Sequence, residues 1–123
     1  MSPHIPQHYV LDEDGEAVPE PDLLAWGAWL GEASRSGGRH LGNDTVNGLR
    51  VSTVFLGMCH NHARYREPNM APTLWETMVF DERGGETESP WHHYQDRYDS
   101  REAALAGHAE VVRRLREGLP PPD

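Results

Sequence analysis

The sequence contains no lysine, and arginine supplies all 11 of its basic residues. Twenty acidic residues outnumber them and give a formal net charge of -9. Binding to nucleic acid requires a cationic surface that contacts phosphates, so this balance argues against nucleic acid as a direct partner. An acidic surface instead suits docking on a basic protein, including one whose own ligand is nucleic acid. The simpler interpretation is that the charge keeps a small protein soluble.

Cysteine and long apolar runs are also scarce. The single cysteine, Cys59, excludes an internal disulfide and a zinc site built mainly on thiolates. No apolar run approaches the roughly 20 residues of a membrane span. The N-terminus lacks the charged start and apolar core that are typical of a secretion signal. We therefore expect a protein of the reducing cytoplasm without a membrane partner.

The length of 123 residues is enough for one domain with one modest core. A hydrophobic content of 37%, together with ten prolines and twelve glycines, predicts a compact centre with long connections. We expect residues 1–123 to form a single domain, in which residues 1–7 and 119–123 are loose arms.

Two runs rich in β-branched and aromatic residues predict the centre of a sheet, at residues 49–58 and 74–80. The first run carries apolar residues on both of its faces, which is typical of an interior strand. We expect the last helix to cover the face that bears Val51, Phe55 and Val79.

Turn and cap signals predict the remaining elements. Asp99 and Glu102 have the spacing of a capping box that starts the last helix. Gly107, in the middle of that helix, either weakens it or lets it approach the sheet closely. The Gly-, Ser- and Asn-rich residues 34–47 predict a mobile loop. The other predicted elements are a short strand at 8–11, a second around Val18, a helix from Pro19 to Ala33 and an edge strand at 91–98.

The predicted first helix carries Leu23, Trp26, Leu30 and Ala33 at helical spacing, with Trp29 beside them. Indoles at this spacing are more often part of a core than of a ligand shelf, so we expect this stripe to be buried. The elements together predict an α+β fold, in which two helices pack on a twisted, mainly antiparallel sheet of three to five strands.

The most concentrated reactive chemistry follows the first long strand, at Cys59, His60 and His62. If the strand continues, the two histidines project on the same side, as metal-binding His-x-His pairs do. His92 and His93 on a neighbouring strand would complete a metal site, with Glu76 or Asp96 as an oxygen ligand and zinc as the candidate ion. Solvated histidines are the simpler interpretation.

Three other residues have both a functional and a structural interpretation. Cys59 beside His60 suggests a thiol nucleophile, but adjacent strand residues point apart, so we expect a buried, inert thiol. Glu76 among large apolar groups suits acid–base chemistry or ligand binding, yet we expect it to pair with Arg50 across the sheet. His108 on the apolar stripe of the last helix predicts a core histidine with one hydrogen-bond partner, and its alternative is a role in orienting a ligand-binding residue of the sheet.

Five blocks occur in order across most of the chain: YVLDEDG (9–15), PEPDLLAW (19–26), VSTVFLG (51–57), LWETMVF (74–80) and YDSREAALAGH (98–108). In that order they resemble a family of small uncharacterised proteins encoded by tailed bacteriophages and prophages. Members of the family usually carry an Asp-His pair after the Phe-Leu-Gly run, where this chain has Met58, Cys59 and His60. The resemblance implies a phage origin, and with it the host cell cytoplasm, but no reaction.

We expect a small phage-encoded accessory protein that acts as a non-enzymatic binding module. Its charge suits a protein partner, such as a host defence or nucleic-acid-binding protein that it inhibits. One alternative is a metal- or small-molecule-binding protein centred on the histidines, and another is a minor virion component. The sequence has no phosphate-cradling Gly loop, Ser-His-Asp order or paired-acid motif that would indicate an enzyme.

Overall fold

A computed structural model describes residues 6–59, 70–85 and 89–122 of the chain. These residues form an α+β fold with a four-stranded sheet, a two-stranded hairpin and two helices, which confirms the predicted fold class. None of the described helices is long and apolar enough to cross a membrane. In chain order the elements are β1 (Tyr9–Leu11), β2 (Ala17–Pro19), α1 (Leu23–Ser36), β3 (His40–Val46), β4 (Leu49–Phe55), β5 (Trp75–Asp81), β6 (Gln95–Tyr98) and α2 (Arg101–Arg116).

The main sheet has the order β3-β4-β5-β6, and every neighbouring pair in it is antiparallel. β4 is therefore an interior strand, as its two apolar faces predict. The pairing of β4 with β5 places Thr53 directly opposite Thr77, and the flanking pairs Val51–Val79 and Phe55–Trp75 lie on the same face. That face becomes the core side of the sheet.

The predicted mobile loop at residues 34–47 is wrong. α1 continues to Ser36, and β3 then pairs with β4 along its whole length. Asn47 and Gly48 both have positive φ angles, 52° and 81°, and they form the tight turn that connects the two strands. β3 is an exposed edge strand stabilised by pairing more than by burial, so its polar composition resembles that of a loop.

α2 covers the core side of the sheet, as predicted. Val111, Val112 and Leu115 pack in one buried cluster with Val51 and Val79. The helix begins one residue later than the capping-box spacing predicts, because Ser100 is the N-cap and its hydroxyl accepts a hydrogen bond from the Ala103 N–H at 3.0 Å.

A second buried cluster lies at the other end of the sheet and includes Phe55, Cys59 and Trp75. The Phe55 ring packs against Trp75 at a centroid distance of 5.5 Å and against Trp29 of α1 at 5.8 Å. These contacts attach α1 to the margin of the core rather than to its centre.

Two other predicted segments differ from the structure. The edge strand is confined to β6, since residues 90–93 form a turn. The C-terminal arm is anchored in part, because Trp91 Nε1 donates to the Leu119 carbonyl at 3.0 Å and Arg114 Nη1 donates to the Pro120 carbonyl at 3.1 Å. At the other end, the Gln7 carbonyl accepts a hydrogen bond from the Cys59 N–H at 2.8 Å.

Gly107 allows α2 to lie close to β6, which is the second of the two roles that the sequence leaves open. A Cβ atom at this position would overlap the Tyr98 ring. Gly27 in α1 provides a contrast, since a Cβ there would meet nothing within 4 Å.

We predict that Gly107→Ala lowers the free energy of unfolding by about 1–3 kcal/mol, because overpacking outweighs the gain in helix propensity. Gly27→Ala is the matched control and should raise it by roughly 0.5–1 kcal/mol. Urea denaturation of both variants measures the difference. Equal stabilisation by the two alanines would contradict the close packing at Gly107.

Candidate functional site

Cys59 lies in the interior, with 7% of its surface exposed, and packs beside Phe55 and Trp75. The burial of the thiol agrees with the expectation, and its inertness stays a prediction. His60 and His62 lie outside the described residues. The Cys59–His60 pairing and the four-histidine metal site therefore stay predictions.

His92 and His93 lie together in the turn before β6, with ring centroids 3.9 Å apart. His92 Nδ1 accepts a hydrogen bond from the Asp81 N–H at 3.1 Å, which places this pair at the end of β5. Cys59 packs near Trp75, at the beginning of β5. The beginning and the end of β5 are six residues apart, which corresponds to about 20 Å along the strand.

The described residues thus do not bring Cys59 together with His92 and His93. Among residues 6–59, 70–85 and 89–122, no group of three or more His, Cys, Asp and Glu side chains is arranged to hold a metal ion. The zinc prediction therefore has no support from these parts of the chain and depends on residues outside them.

The predicted pair between Glu76 and Arg50 is wrong. Glu76 Oε2 instead accepts hydrogen bonds from Arg97 Nε at 2.9 Å and Gln95 Nε2 at 2.6 Å. The strand register explains the difference, because Arg97 stands opposite Glu76 while Arg50 stands opposite Phe80 and lies over its ring. Glu76 is thus a buried carboxylate on the face of the sheet opposite α2, and its Oε2 accepts from two side chains of β6.

Asp81 organises the loop that leads to the histidine turn. Its carboxylate accepts hydrogen bonds from Arg83 Nη2 at 2.6 Å, from Arg83 Nε at 2.8 Å and from the Ser89 N–H at 3.0 Å. The Arg83 side chain, followed by the backbone N–H groups of Ser89 and Arg83, holds the pKa of Asp81 well below its usual range.

Sequence reasoning missed a polar network around His108. His108 Nδ1 lies 2.7 Å from Thr53 Oγ1, and His108 Nε2 lies 2.6 Å from Asp44 Oδ2. Thr53 Oγ1 lies 2.5 Å from Thr77 Oγ1. The predicted single partner of His108 is therefore incomplete, since both ring nitrogens are engaged.

The order Asp44, His108, Thr53 resembles the acid, base and hydroxyl of a nucleophilic relay. Thr53 and Thr77 are both fully buried, however, so no substrate carbonyl can reach the hydroxyl oxygen in this structure. The network is a structural connection between α2 and the sheet. Gly42 is the residue in the sequence that could have indicated this network. Only glycine leaves room for the imidazole there, because a Cβ at this position would come within 2.7 Å of the His108 ring.

The first helix carries the most exposed apolar surface. Residues 23–30 read LLAWGAWL and are all apolar, a pattern that normally belongs to a buried helix. Of the predicted core stripe, Ala33 is buried and Trp26, Trp29 and Leu30 are half-buried, so the prediction is wrong only at Leu23. Leu24 is 87% exposed and Leu23 is 59% exposed.

The position of α1 explains this exposure. Among the described helices and strands, only β1 lies close to the α1 backbone. Trp26 is half-buried and donates from Nε1 to the Gly57 carbonyl at 3.0 Å, while Trp29 contacts Phe55. The two indoles hold one side of the helix to the core, and the leucines at its start face solvent.

A groove of about 430 Å³ opens beside the start of α1. His8 forms part of its wall and packs edge-on against Trp26 at a centroid distance of 4.7 Å. Gln7 Nε2 is buried and has no hydrogen-bond partner in the described part of the chain. We call this cavity the Leu23 groove, and its lining residues are Pro6, Gln7, His8, Pro19, Glu20, Pro21 and Leu23.

Acidic residues lie at the edge of the Leu23 groove. Six acidic residues lie between positions 12 and 22, and four of them, Asp12, Glu13, Asp14 and Glu16, belong to the turn at the far end of the β1–β2 hairpin. Glu20 lines the groove, and Asp22 caps α1 by accepting from the Leu24 N–H at 3.0 Å. The surface therefore combines an apolar centre with a rim of negative charge.

In comparisons with protein-family models, curated proteins and solved structures, nothing matched this chain. The chemistry of its described residues is therefore the basis for assigning a function. On those residues, the exposed α1 surface and the Leu23 groove are the features best suited to bind another molecule.

We predict that Asp81→Asn lowers the free energy of unfolding at pH 7 by more than it does at pH 3. A carboxyl group whose pKa is lower in the folded state than in the unfolded state stabilises the folded state at pH values above its ordinary pKa, about 3.9. This stabilisation is lost as the pH falls through the lower pKa of the folded state. Urea denaturation at both pH values tests this, with Glu82→Gln as the neighbouring control. A loss that is independent of pH, or an equal loss in the control, would contradict the assignment.

Proposed function

We propose that the protein is a non-enzymatic binding module that docks on a basic protein partner through α1 and the Leu23 groove. The observation that carries this proposal is the exposure of apolar residues in a helix whose composition is that of a core helix. Local rules of burial are most often broken where a surface has a binding role.

The energetics of this surface favour burial by a partner. Burying one leucine side chain contributes about 1.5–3 kcal/mol, and Leu23 and Leu24 are adjacent and exposed. An apolar centre with a polar rim is the usual anatomy of a protein interface. The leucines and the groove provide the centre, and Glu20 and Asp22 belong to the rim.

The charge of the surface supports a basic partner. With six acidic residues between positions 12 and 22 and a net charge of -9, the protein would attract cationic surfaces and repel acidic ones. Association should therefore weaken as the salt concentration rises, because salt screens exposed charges beyond about 10 Å at 0.1 M.

The finer part of the proposal concerns origin and target. The resemblance of five sequence blocks to phage and prophage proteins supports a phage-encoded accessory protein that acts in the host cytoplasm. The acidic surface supports a partner that itself binds nucleic acid, such as a host defence enzyme, which the protein would inhibit by occupying a basic groove. The metal-binding and virion alternatives stay predictions that the described residues do not favour.

We predict that a tagged form of the protein recovers a stoichiometric basic protein from host cells, and that Leu24→Asp abolishes this recovery. An acidic residue in the first turn of α1 complements the helix dipole, so the variant should fold. Leu105→Asp is the matched control, since Leu105 is an exposed leucine on α2, at 41%. It should retain the partner.

Affinity purification at low and high salt, with mass spectrometry and circular dichroism of each variant, makes the measurement. Recovery of a basic partner that is lost in Leu24→Asp and at high salt, but kept in Leu105→Asp, supports the proposal. Recovery of no stoichiometric partner, or of a partner that Leu24→Asp retains, overturns it.

A further inference from the structure

We infer that the Leu23 groove binds a peptide segment of the partner in which a large apolar side chain stands next to arginine or lysine. In this arrangement the apolar side chain fills the groove, and Glu20 pairs with the cation. The inference rests on the proposed function and specifies what the binding surface recognises.

The groove has the size and composition of a site for an apolar side chain. Its volume of about 430 Å³ lies within the range of typical ligand sites, roughly 300–1,000 Å³. Three prolines, a leucine and the His8 ring form most of its lining. An aromatic or large aliphatic side chain with its adjoining backbone fits these dimensions and this chemistry.

The walls of the groove are fixed before any ligand arrives. The Glu20 N–H donates to the His8 carbonyl at 2.9 Å, which connects the two sides of the groove. The Gln7 carbonyl accepts from the Cys59 N–H at 2.8 Å, and β1 pairs with β2 next to it. A preorganised wall lowers the entropic cost of binding, so a short peptide loses less free energy in ordering the site.

Gln7 lines the groove, but its Nε2 amide is closed to solvent and has no hydrogen-bond partner in the described part of the chain, so an occupant of the groove does not contact that nitrogen. The polar component of recognition therefore comes from Glu20, whose carboxylate lies at the edge of the groove.

The charge of the rim selects the residue beside the apolar side chain. Glu20 Oε1 accepts a hydrogen bond from the Asp22 N–H at 3.1 Å, which fixes a carboxylate at the edge of the groove. Among the described residues, no arginine forms a salt bridge with this carboxylate. A cationic neighbour in the peptide therefore gains an ion pair, whereas an acidic neighbour is repelled.

The test uses three capped tripeptides: acetyl-Arg-Phe-Arg-amide, acetyl-Gly-Phe-Gly-amide and acetyl-Glu-Phe-Glu-amide. Each is titrated into the ¹⁵N-labelled full chain and followed by two-dimensional NMR. We expect the arginine peptide to shift the Gln7 side-chain amide and the Leu23 amide, with a Kd at least tenfold lower than that of the glutamate peptide. Glu20→Gln should weaken the arginine peptide severalfold, because it removes the charge but keeps an oxygen that can accept from the Asp22 N–H, while Leu105→Asp should leave its Kd unchanged.

Three results would overturn the inference. The first is equal binding of the arginine and glycine peptides, which would show that the groove is a general apolar site. The second is a shift of the Gln7 and Leu23 signals with protein concentration alone, which would show that a second copy of the chain occupies the groove. The third is that none of the peptides shifts these signals.

Failure here is distinct from failure of the proposed function. If the peptides do not bind but Leu24→Asp still abolishes capture of a basic protein, the groove is not the recognition element and the binding module stands. If the arginine peptide binds as expected but no basic protein is captured, the groove is a peptide site and the proposed partner class is wrong.

Discussion

A buried imidazole fastens the last helix to three strands of the sheet. His108 of α2 engages Asp44 of β3 through one ring nitrogen and Thr53 of β4 through the other, and Thr53 in turn contacts Thr77 of β5. Because an unpaired polar group in the interior is costly, these partners fix the helix at one position and one rotation over the sheet. Gly42 leaves room for the ring.

This connection has a consequence for the rest of the molecule. α2 occupies the core side of the sheet with Val111 and Leu115, so α1 is left at the margin, held by Trp26 and Trp29. Leu23 and Leu24 at its start then have no core to enter. A helix with core-like composition is thereby exposed to solvent beside an acidic hairpin. The proposed binding surface exists because His108 fixes α2 on the core side of the sheet and leaves α1 at the margin.

Periodicity and composition predicted the parts of the fold that obey local rules, but not those that depend on register or on a partner element. Residues 51–57 and 74–80 are strongly apolar and alternate, so the central strands and the face covered by α2 were predictable. β3 was not, because pairing rather than burial stabilises its polar residues. The partners of Glu76 and His108 depend on strand register, and the exposure of Leu24 breaks the rule that apolar helices are buried.

A double-mutant cycle between Thr53→Val and His108→Leu tests the central connection most directly. Thr53→Val leaves His108 Nδ1 without a partner, and His108→Leu removes one of the two partners of the Thr53 hydroxyl, so each single variant should lose about 1–3 kcal/mol in the free energy of unfolding. The double variant should lose less than the sum by about 1 kcal/mol or more, and the exposed control Thr45→Val should change by less than about 0.5 kcal/mol. If the two losses simply add, or if Thr53→Val costs no more than Thr45→Val, the imidazole does not hold α2 to the sheet.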